Sequence, residues 1–102
     1  MINKNTLKQY INDFSAVTSM NLLAEFKLDN NQLDNILDMV IKALSENILN
    51  TGDQQKNEMI AQYIMKEFIL FQAQEDINDQ YYMINLANFI DGLKQELLNL
   101  EI

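Results

Sequence analysis

The side chains best suited to chemistry are the carboxylates of Glu75, Asp76 and Asp79, which are grouped in the sequence. Two neighbouring carboxylates can act as an acid and a base when burial raises the pKa of one of them. This group, however, falls in a polar joint between two predicted helices, where no apolar surroundings would raise a pKa. A calcium loop would also need a central glycine, which the stretch lacks. We therefore interpret the group as solvated residues of a loop and a helix start.

Other catalytic residue types are missing from the chain. The sequence contains no histidine and no cysteine, which removes the commonest general base, the usual metal ligands and every thiol nucleophile. The two glycines, Gly52 and Gly92, are too far apart to form a phosphate-binding loop. No apolar stripe of a predicted helix contains the acid that a buried carboxylate site would need. We expect a protein that is not an enzyme and that uses no metal ion and no cofactor.

The spacing of apolar residues predicts four helices, over about 6–27, 31–50, 54–74 and 79–100. The absence of proline and the scarcity of glycine also favour helices over a chain of many tight turns. Short joints place consecutive helices side by side in opposite directions. The expected fold is an all-α, single-domain, up-down-up-down four-helix bundle over residues 1–102. The most regular apolar stripe lies on the fourth helix and consists of Tyr82, Leu86, Phe89, Ile90, Leu93, Leu97 and Leu100.

Polar residues mark the start and the middle of the first helix. Thr6 followed by Gln9 fits a capping box, in which each side chain satisfies a backbone donor of the first turn. The polar stretch around Ser19–Asn21 competes with the helix for backbone hydrogen bonds. Both a continuous and a broken first helix therefore fit the sequence.

Polar residues also mark the two ends of the second helix. Asp29 or Asn30 can cap its start, because a short polar side chain accepts a hydrogen bond from the first turn. Gly52 can take the left-handed conformation that ends a helix, and Asp53 can cap the third helix at once. The sequence therefore predicts a tight turn between the second and third helices.

The charge of the chain limits its partners. The net charge is −8, from 15 acidic and 7 basic residues, and every basic residue is lysine. Phosphate contacts dominate binding to nucleic acids, and anionic membranes repel acidic proteins, so we expect neither partner. A basic protein would be attracted. The first ten residues are polar and resemble no signal sequence, so we expect a cytoplasmic protein.

Two groups of residues are candidates for binding such a partner. Asp34 and Asp38 lie one turn apart, off the apolar stripe of the second helix, where a solvated face is the usual explanation. Tyr81 points about 100° away from Tyr82 around the helix and is expected at the surface, where tyrosines often contribute to binding. The predicted partner-binding residues are Asp34, Asp38, Glu75, Asp76, Asp79 and Tyr81.

The third helix is apolar on more than one side, whereas an ordinary bundle helix has a single apolar face. One explanation is that it is the most buried helix of the bundle. The other is that part of it forms an exposed dimer surface, since methionine and aromatic residues are common at interfaces. The residues of that predicted surface are Met59, Tyr63, Met65, Ile69 and Leu70.

Asp79, Tyr81 and Tyr82 resemble the acid and the two tyrosines of nuclease-colicin immunity proteins. Met83 stands where that family has a proline, and the element there lies in a short helix. The size, acidity and helical architecture are also similar to those of small proteins that neutralise bacterial toxins or phage-defence nucleases. The resemblance implies a helical inhibitor of a basic protein and assigns no role to any single residue.

We therefore expect a non-catalytic protein that inhibits or neutralises a basic protein partner, as immunity proteins, antitoxins and phage anti-defence factors do. The alternative is a structural or assembly module that forms a homodimer through the third helix. The two hypotheses differ in the oligomeric state of the isolated chain, which is a dimer only under the second.

Overall fold

The computed structural model describes residues 1–99, so Leu100, the last residue of the predicted fourth stripe, lies outside the described residues. The described residues form a compact globule with a Cα radius of gyration of 13.2 Å, the value expected for about 100 residues. The predicted all-α class is confirmed. Residues 1–99 contain six helices: α1 (Lys4–Thr18), α2 (Leu22–Glu25), α3 (Asn30–Ala43), α4 (Glu46–Leu49), α5 (Gln54–Gln72) and α6 (Tyr82–Leu98).

α1 begins at Lys4, and its cap is Asn3 instead of Thr6. The Asn3 side chain accepts a hydrogen bond from the Thr6 N–H at 3.0 Å, and the Thr6 hydroxyl accepts one from the Asn3 N–H at 3.5 Å. The predicted capping box of Thr6 with Gln9 is wrong, because the stronger cap Asn3 already satisfies the first turn. Gln9 donates instead to Asp13, one turn further along α1.

The polar stretch after α1 breaks the first predicted helix. Ser19 takes the left-handed conformation with φ of 57°, and the Asn21 side chain accepts a hydrogen bond from the Ala24 N–H to begin α2. Short polar side chains favour such breaks because they bond to nearby backbone groups. After the break, α2 lies near the end of α5, and residues of both helices line one cleft.

The second predicted helix is also broken, so the expectation of one helix over 31–50 is wrong. Leu44 and Ser45 are extended, with ψ of 140° and 155°, and separate α3 from α4. Leu44, Ile48 and Leu49 are all buried. A continuous helix would carry the last two about 9 Å further along the α3 axis, away from the core. The break lets them cover the end of the core.

Two predicted helix caps are confirmed. Asp29 caps α3, accepting from the Gln32 N–H at 2.7 Å, and Asp53 caps α5. Gly52 has the predicted left-handed conformation with φ of 80°, but it lies two residues after Asn50, the extended residue that ends α4, so it does not cap that helix. α5 ends at Gln72 and α6 begins at Tyr82, so the joint between them is longer than predicted.

Two pairs of long helices are antiparallel neighbours. α1 and α3 are joined by ion pairs from Lys4 to Asp38 and from Lys8 to Asp34. In α5 and α6, Gln72 near the end of one helix meets Tyr82 at the start of the other. In both pairs the two long helices follow each other in the chain and run in opposite directions.

Two other pairs of long helices are parallel neighbours. The Ile2 N–H, just before α1, donates to the Leu49 carbonyl shortly before α5 begins, and the two helices then run side by side. α3 and α6 begin at one end of the molecule, where Ile36 and Met83 line one groove. Further along the same pair, Ala43 and Lys94 line another.

The neighbour order therefore differs from the predicted simple bundle. The principal helix contacts are α1 with α3, α1 with α5, α3 with α6, and α5 with α6. Among the four long helices, α3 and α5 follow each other in the chain but are not among the principal contacts, although a tight turn would have made them neighbours. The break after Ala43 leaves residues 44–53 as a long connection that crosses the end of the bundle.

Within residues 1–99, Gln72 is the one buried polar side chain of an otherwise apolar core. Phe71 of α5 stacks on Phe89 of α6 with ring centroids 4.6 Å apart, which joins the two helices above the buried Tyr82. The buried apolar residues come from all six helices and from Ile2, Leu28 and Leu44 between them.

Candidate protein-interaction surface

Five carboxylates gather at one end of the molecule, where α2 lies, α5 stops, and α3 and α6 begin. We call this group, consisting of Glu25, Asp29, Glu75, Asp76 and Asp79, the acid end. Three of the five line one open cleft of about 400 Å³ between α2 and the end of α5; these are Glu25, Glu75 and Asp76.

The fold brings the other two carboxylates to the same end. Asp29 caps α3 through its hydrogen bond with Gln32, and Gln32 lines a groove together with Ile77. Ile77 lies in the joint between α5 and α6, next to Asp76 and two residues before Asp79. The start of α3 and this joint are therefore adjacent.

Hydrogen bonds hold the carboxylates of the joint in place. Asp76 accepts from the Asn78 N–H at 2.9 Å, and Asp79 accepts from the Tyr81 N–H at 2.8 Å. The Glu75 carboxylate accepts from the Asn85 side chain at 3.2 Å. These donors are neutral, so the bonds orient the carboxylates without cancelling their charges.

Little positive charge balances the acid end. Lys27 lines the cleft beside Glu75 and Asp76. The starts of α3 and α6 contribute the equivalent of about half a positive charge each. Together these leave a negative balance against five carboxylates. Within residues 1–99 the lysine–carboxylate pairs closer than 4.0 Å are those between α1 and α3, and they include none of these five acids.

Apolar side chains are exposed beside the carboxylates. Tyr81, Met83 and Ile84, at the start of α6, have exposed fractions of 58%, 56% and 59%. Met20 lines the cleft and is also exposed. Tyr81 is at the surface and Tyr82 is buried, as the helical spacing predicts. Charges surrounding exposed aromatic and aliphatic groups are a common composition of protein-binding surfaces.

A buried polar pair supports this end of the molecule. The Tyr82 hydroxyl donates to the Gln72 side-chain oxygen at 2.7 Å, and both residues are almost completely buried. Burial, with a smaller contribution from the charge of Glu75, raises the pKa of Tyr82 to about 12. The pair ties the start of α6 to the end of α5, so it positions the joint that carries the acids.

Asp34 and Asp38 do not join the acid end, although both are predicted binding residues. They lie on the side of α3 that faces α1, where Lys8 and Lys4 pair with them. The hydrogen bond and the charge of Lys8 lower the pKa of Asp34 and outweigh the effect of burial. Both carboxylates therefore already have an ion-pair partner within the chain.

The five residues of the predicted dimer surface on α5 do not lie on one exposed face. Met65 is fully buried, so its assignment to a surface is wrong; it faces the core because α5 packs on both α1 and α6. Ile69 is half-buried and lines the cleft. The Tyr63 hydroxyl donates to Glu96 of α6, and this bond with some burial raises the pKa of Tyr63 to about 12.

Two predicted dimer residues remain exposed on α5. Met59 and Leu70 have exposed fractions of 54% and 52%. They are three helical turns apart, and the exposed Lys66 lies on the same side of the helix between them. They do not form a continuous apolar patch.

The sequence interpretation missed that Glu25, Lys27 and Asp29 belong with the acids of the joint. They are distant in the chain from Glu75 and meet it only because α2 turns back after Ser19. The signal was present in the break predicted at Ser19–Asn21, but that break alone does not say where the chain goes next.

Within residues 1–99, no three carboxylates are placed so that they could hold a metal ion together. In the same part of the chain, none of the helices combines the length and apolar character that crossing a membrane requires. Comparisons with protein-family models, curated proteins and solved structures found no match for this chain.

Proposed function

We propose that this chain is a non-catalytic binding protein that inhibits or neutralises a basic protein, as an immunity protein, antitoxin or phage anti-defence factor does. The observation that carries the proposal is the acid end. Its five carboxylates, four of them held by hydrogen bonds, have little positive charge around them, and the exposed Tyr81, Met83 and Ile84 follow Asp79 closely in the chain. Such a surface attracts a basic partner over a distance and then offers apolar area for close contact.

The contacting residues follow from this placement. Glu75, Asp76, Asp79 and Tyr81 are kept from the sequence prediction, and Glu25 and Asp29 join them. Asp34 and Asp38 are assigned a structural role because α1 already supplies their partners. Inhibition would require only that the bound chain cover a functional surface of the partner, which a rigid helical protein can do without chemistry.

The test is affinity capture with two variants of equal charge change. The first is Glu75→Lys with Asp76→Lys; the control is Asp13→Lys with Glu58→Lys, which lie in a different cleft, between α1 and α5. We expect wild type and control to retain the same basic protein, and the acid-end variant to bind it at least about tenfold more weakly. Mass spectrometry identifies the protein, and an activity assay of that protein measures inhibition.

Equal retention by both double variants, or capture of no basic protein by wild type, would contradict the proposal. Binding through the acid end should also weaken between low and physiological salt, because exposed charges are screened. The alternative of self-association through α5 now rests on the exposed Met59 and Leu70 alone. Light scattering at micromolar concentration separates the two, since only self-association gives a dimer.

A further inference from the structure

A groove between the parallel helices α3 and α6 is made of two depressions of about 250 and 380 Å³, which lie one after the other and share Met39. The first lies near the acid end, against Ile77 and Met83, and the second continues towards Asp91 and Lys94.

The groove has the composition of a site for an apolar helix face. Its floor is formed by Ile36, Met39 and Ile90, and the small Ala43 and Ala87 allow close approach of another chain. Methionine side chains adapt to different apolar partners, and Met39 of α3 and the exposed Met83 of α6 both line the groove.

The length of the groove and the structure of its walls favour a helix as the bound segment. The lining runs from Gln32 to Ala43 on α3 and from Met83 to Lys94 on α6, a distance of about 16 Å, or three helical turns. Both walls are helices, whose backbone groups are paired internally. An extended segment would therefore find no strand edge to bond, whereas a helix satisfies its own backbone.

Charge selects the type and direction of that helix. One end of the groove opens at the acid end, beside Ile77, and the other has the opposite charges of Asp91 and Lys94. A second copy of this chain would also carry a charge of −8 and be repelled. Lysines favour the last turn of a helix, so a helix lying antiparallel to α3 and α6 brings its basic last turn to the acid end.

We propose that the groove between α3 and α6 receives one amphipathic helix of the basic partner, about three turns long and antiparallel to both walls. Its apolar face lies on Met39, Ala87 and Ile90, and its basic last turn lies at the acid end. This inference rests on the proposed function and names the part of the partner that is bound.

The test uses a fluorescent synthetic peptide of 14 residues as the probe. Leucines repeat at three- and four-residue intervals along one face, and three lysines occupy the last turn. A second peptide of the same composition has the lysines in the first turn. Fluorescence anisotropy measures the binding of both to the full chain, and analytical ultracentrifugation measures its oligomeric state.

Neighbouring exposed positions on α6 give a matched pair of variants. Ala87→Glu places a carboxylate in the groove, and Asn88→Glu places the same group outside it. We expect Ala87→Glu to weaken peptide binding at least about tenfold, since burying an unpaired charge is costly. Asn88→Glu should change it less than about twofold, and the peptide with lysines in the first turn should bind several-fold more weakly. Circular dichroism shows whether each variant is folded. If Ala87→Glu disturbs the fold, Ala87→Gln replaces it as a neutral side chain of similar size in the groove.

Each other outcome overturns the inference. Equal effects at Ala87 and Asn88, no binding of either peptide at millimolar concentration, or a dimer that Ala87→Glu dissociates would each do so. If Glu75→Lys with Asp76→Lys abolishes capture of the basic protein while Ala87→Glu leaves capture unchanged, the groove assignment fails and the proposed function stands. If both leave capture unchanged, the proposed function fails as well.

Discussion

The acids of α3 and the acids of the acid end differ in what lies opposite them. Asp34 and Asp38 face α1, where Lys8 and Lys4 lie one helical turn apart and match their spacing. The acid end has Lys27 nearby and otherwise neutral hydrogen-bond donors. The first group connects two helices, and the second leaves negative charge directed at solvent.

The difference shows that the number of acids does not reveal their role. Distance along the chain does not reveal it either: Lys8 is 26 residues from Asp34 and pairs with it, whereas Lys66, nine residues from Glu75, forms no such pair within residues 1–99. The role of an acid depends on whether a neighbouring helix places a lysine side chain next to it. Substitutions in the two groups of acids and in the residues that hold them should therefore have different effects.

The largest effect should come from the buried pair that supports the acid end. Tyr82→Phe removes the hydroxyl and leaves the Gln72 side chain unpaired in the core, which should lower the free energy of unfolding by about 1–3 kcal/mol. Tyr81→Phe is the control, because the Tyr81 side chain is exposed. Urea unfolding measures both, and equal small effects would show that the pair does not support this end.

A smaller effect should separate the capping role of Asp29 from its charge. Asp29→Ala removes the hydrogen bond to the Gln32 N–H and should cost about 1 kcal/mol. Asp29→Asn keeps an acceptor for that bond and should unfold at nearly the wild-type urea concentration. If the asparagine variant is as unstable as the alanine variant, charge and not capping is what Asp29 contributes.

A still smaller effect should distinguish the two groups of acids directly. Asp34→Asn breaks the ion pair with Lys8 and should lower the urea midpoint slightly, as expected for a partly exposed pair. Glu25→Gln removes one of several mutually repelling carboxylates, so the midpoint should stay unchanged or rise. The comparison fails if both neutralisations have the same sign and size.

The smallest effect concerns acid pH. Because the pKa of Asp34 is lowered in the folded chain, its ion pair contributes stability above the unfolded value of 3.8. That contribution is lost as the pH falls through the lower folded pKa. In Lys8→Met the pKa of Asp34 should rise and this part of the acid destabilisation should disappear. NMR titration of the side-chain carboxyl measures the pKa, and an unchanged value would show that Lys8 does not cause the shift.

Local patterns in the sequence predicted much of the local structure. Helical spacing gives the all-α class and places Tyr82 inside and Tyr81 outside. Capping chemistry gives Asp29 and Asp53, the glycine gives the left-handed conformation at Gly52, and the polar run gives the break after α1. These features depend on residues only a few positions apart, which is why they can be read without the fold.

The break at Leu44 and the burial of Met65 could not be read in this way. Leu44 continues the apolar stripe of α3, so the sequence gives no reason to end the helix there. The chain turns at Leu44 because the core ends at that point and Ile48 and Leu49 cover it. Met65 lies on a side of α5 that a simple bundle would expose, and the packing of α1 and α6 covers it.

Residue types and their spacing are enough to predict that the chain is helical, which residues of each helix are apolar, and that the net charge is negative. The fold is needed to see that Lys4 and Lys8 meet Asp38 and Asp34, and that Glu25 lies in one cleft with the acids after α5. The physical reason is that helix periodicity is set by neighbours along the chain. The meeting of charges depends instead on the path of the connections and on which helices share the core.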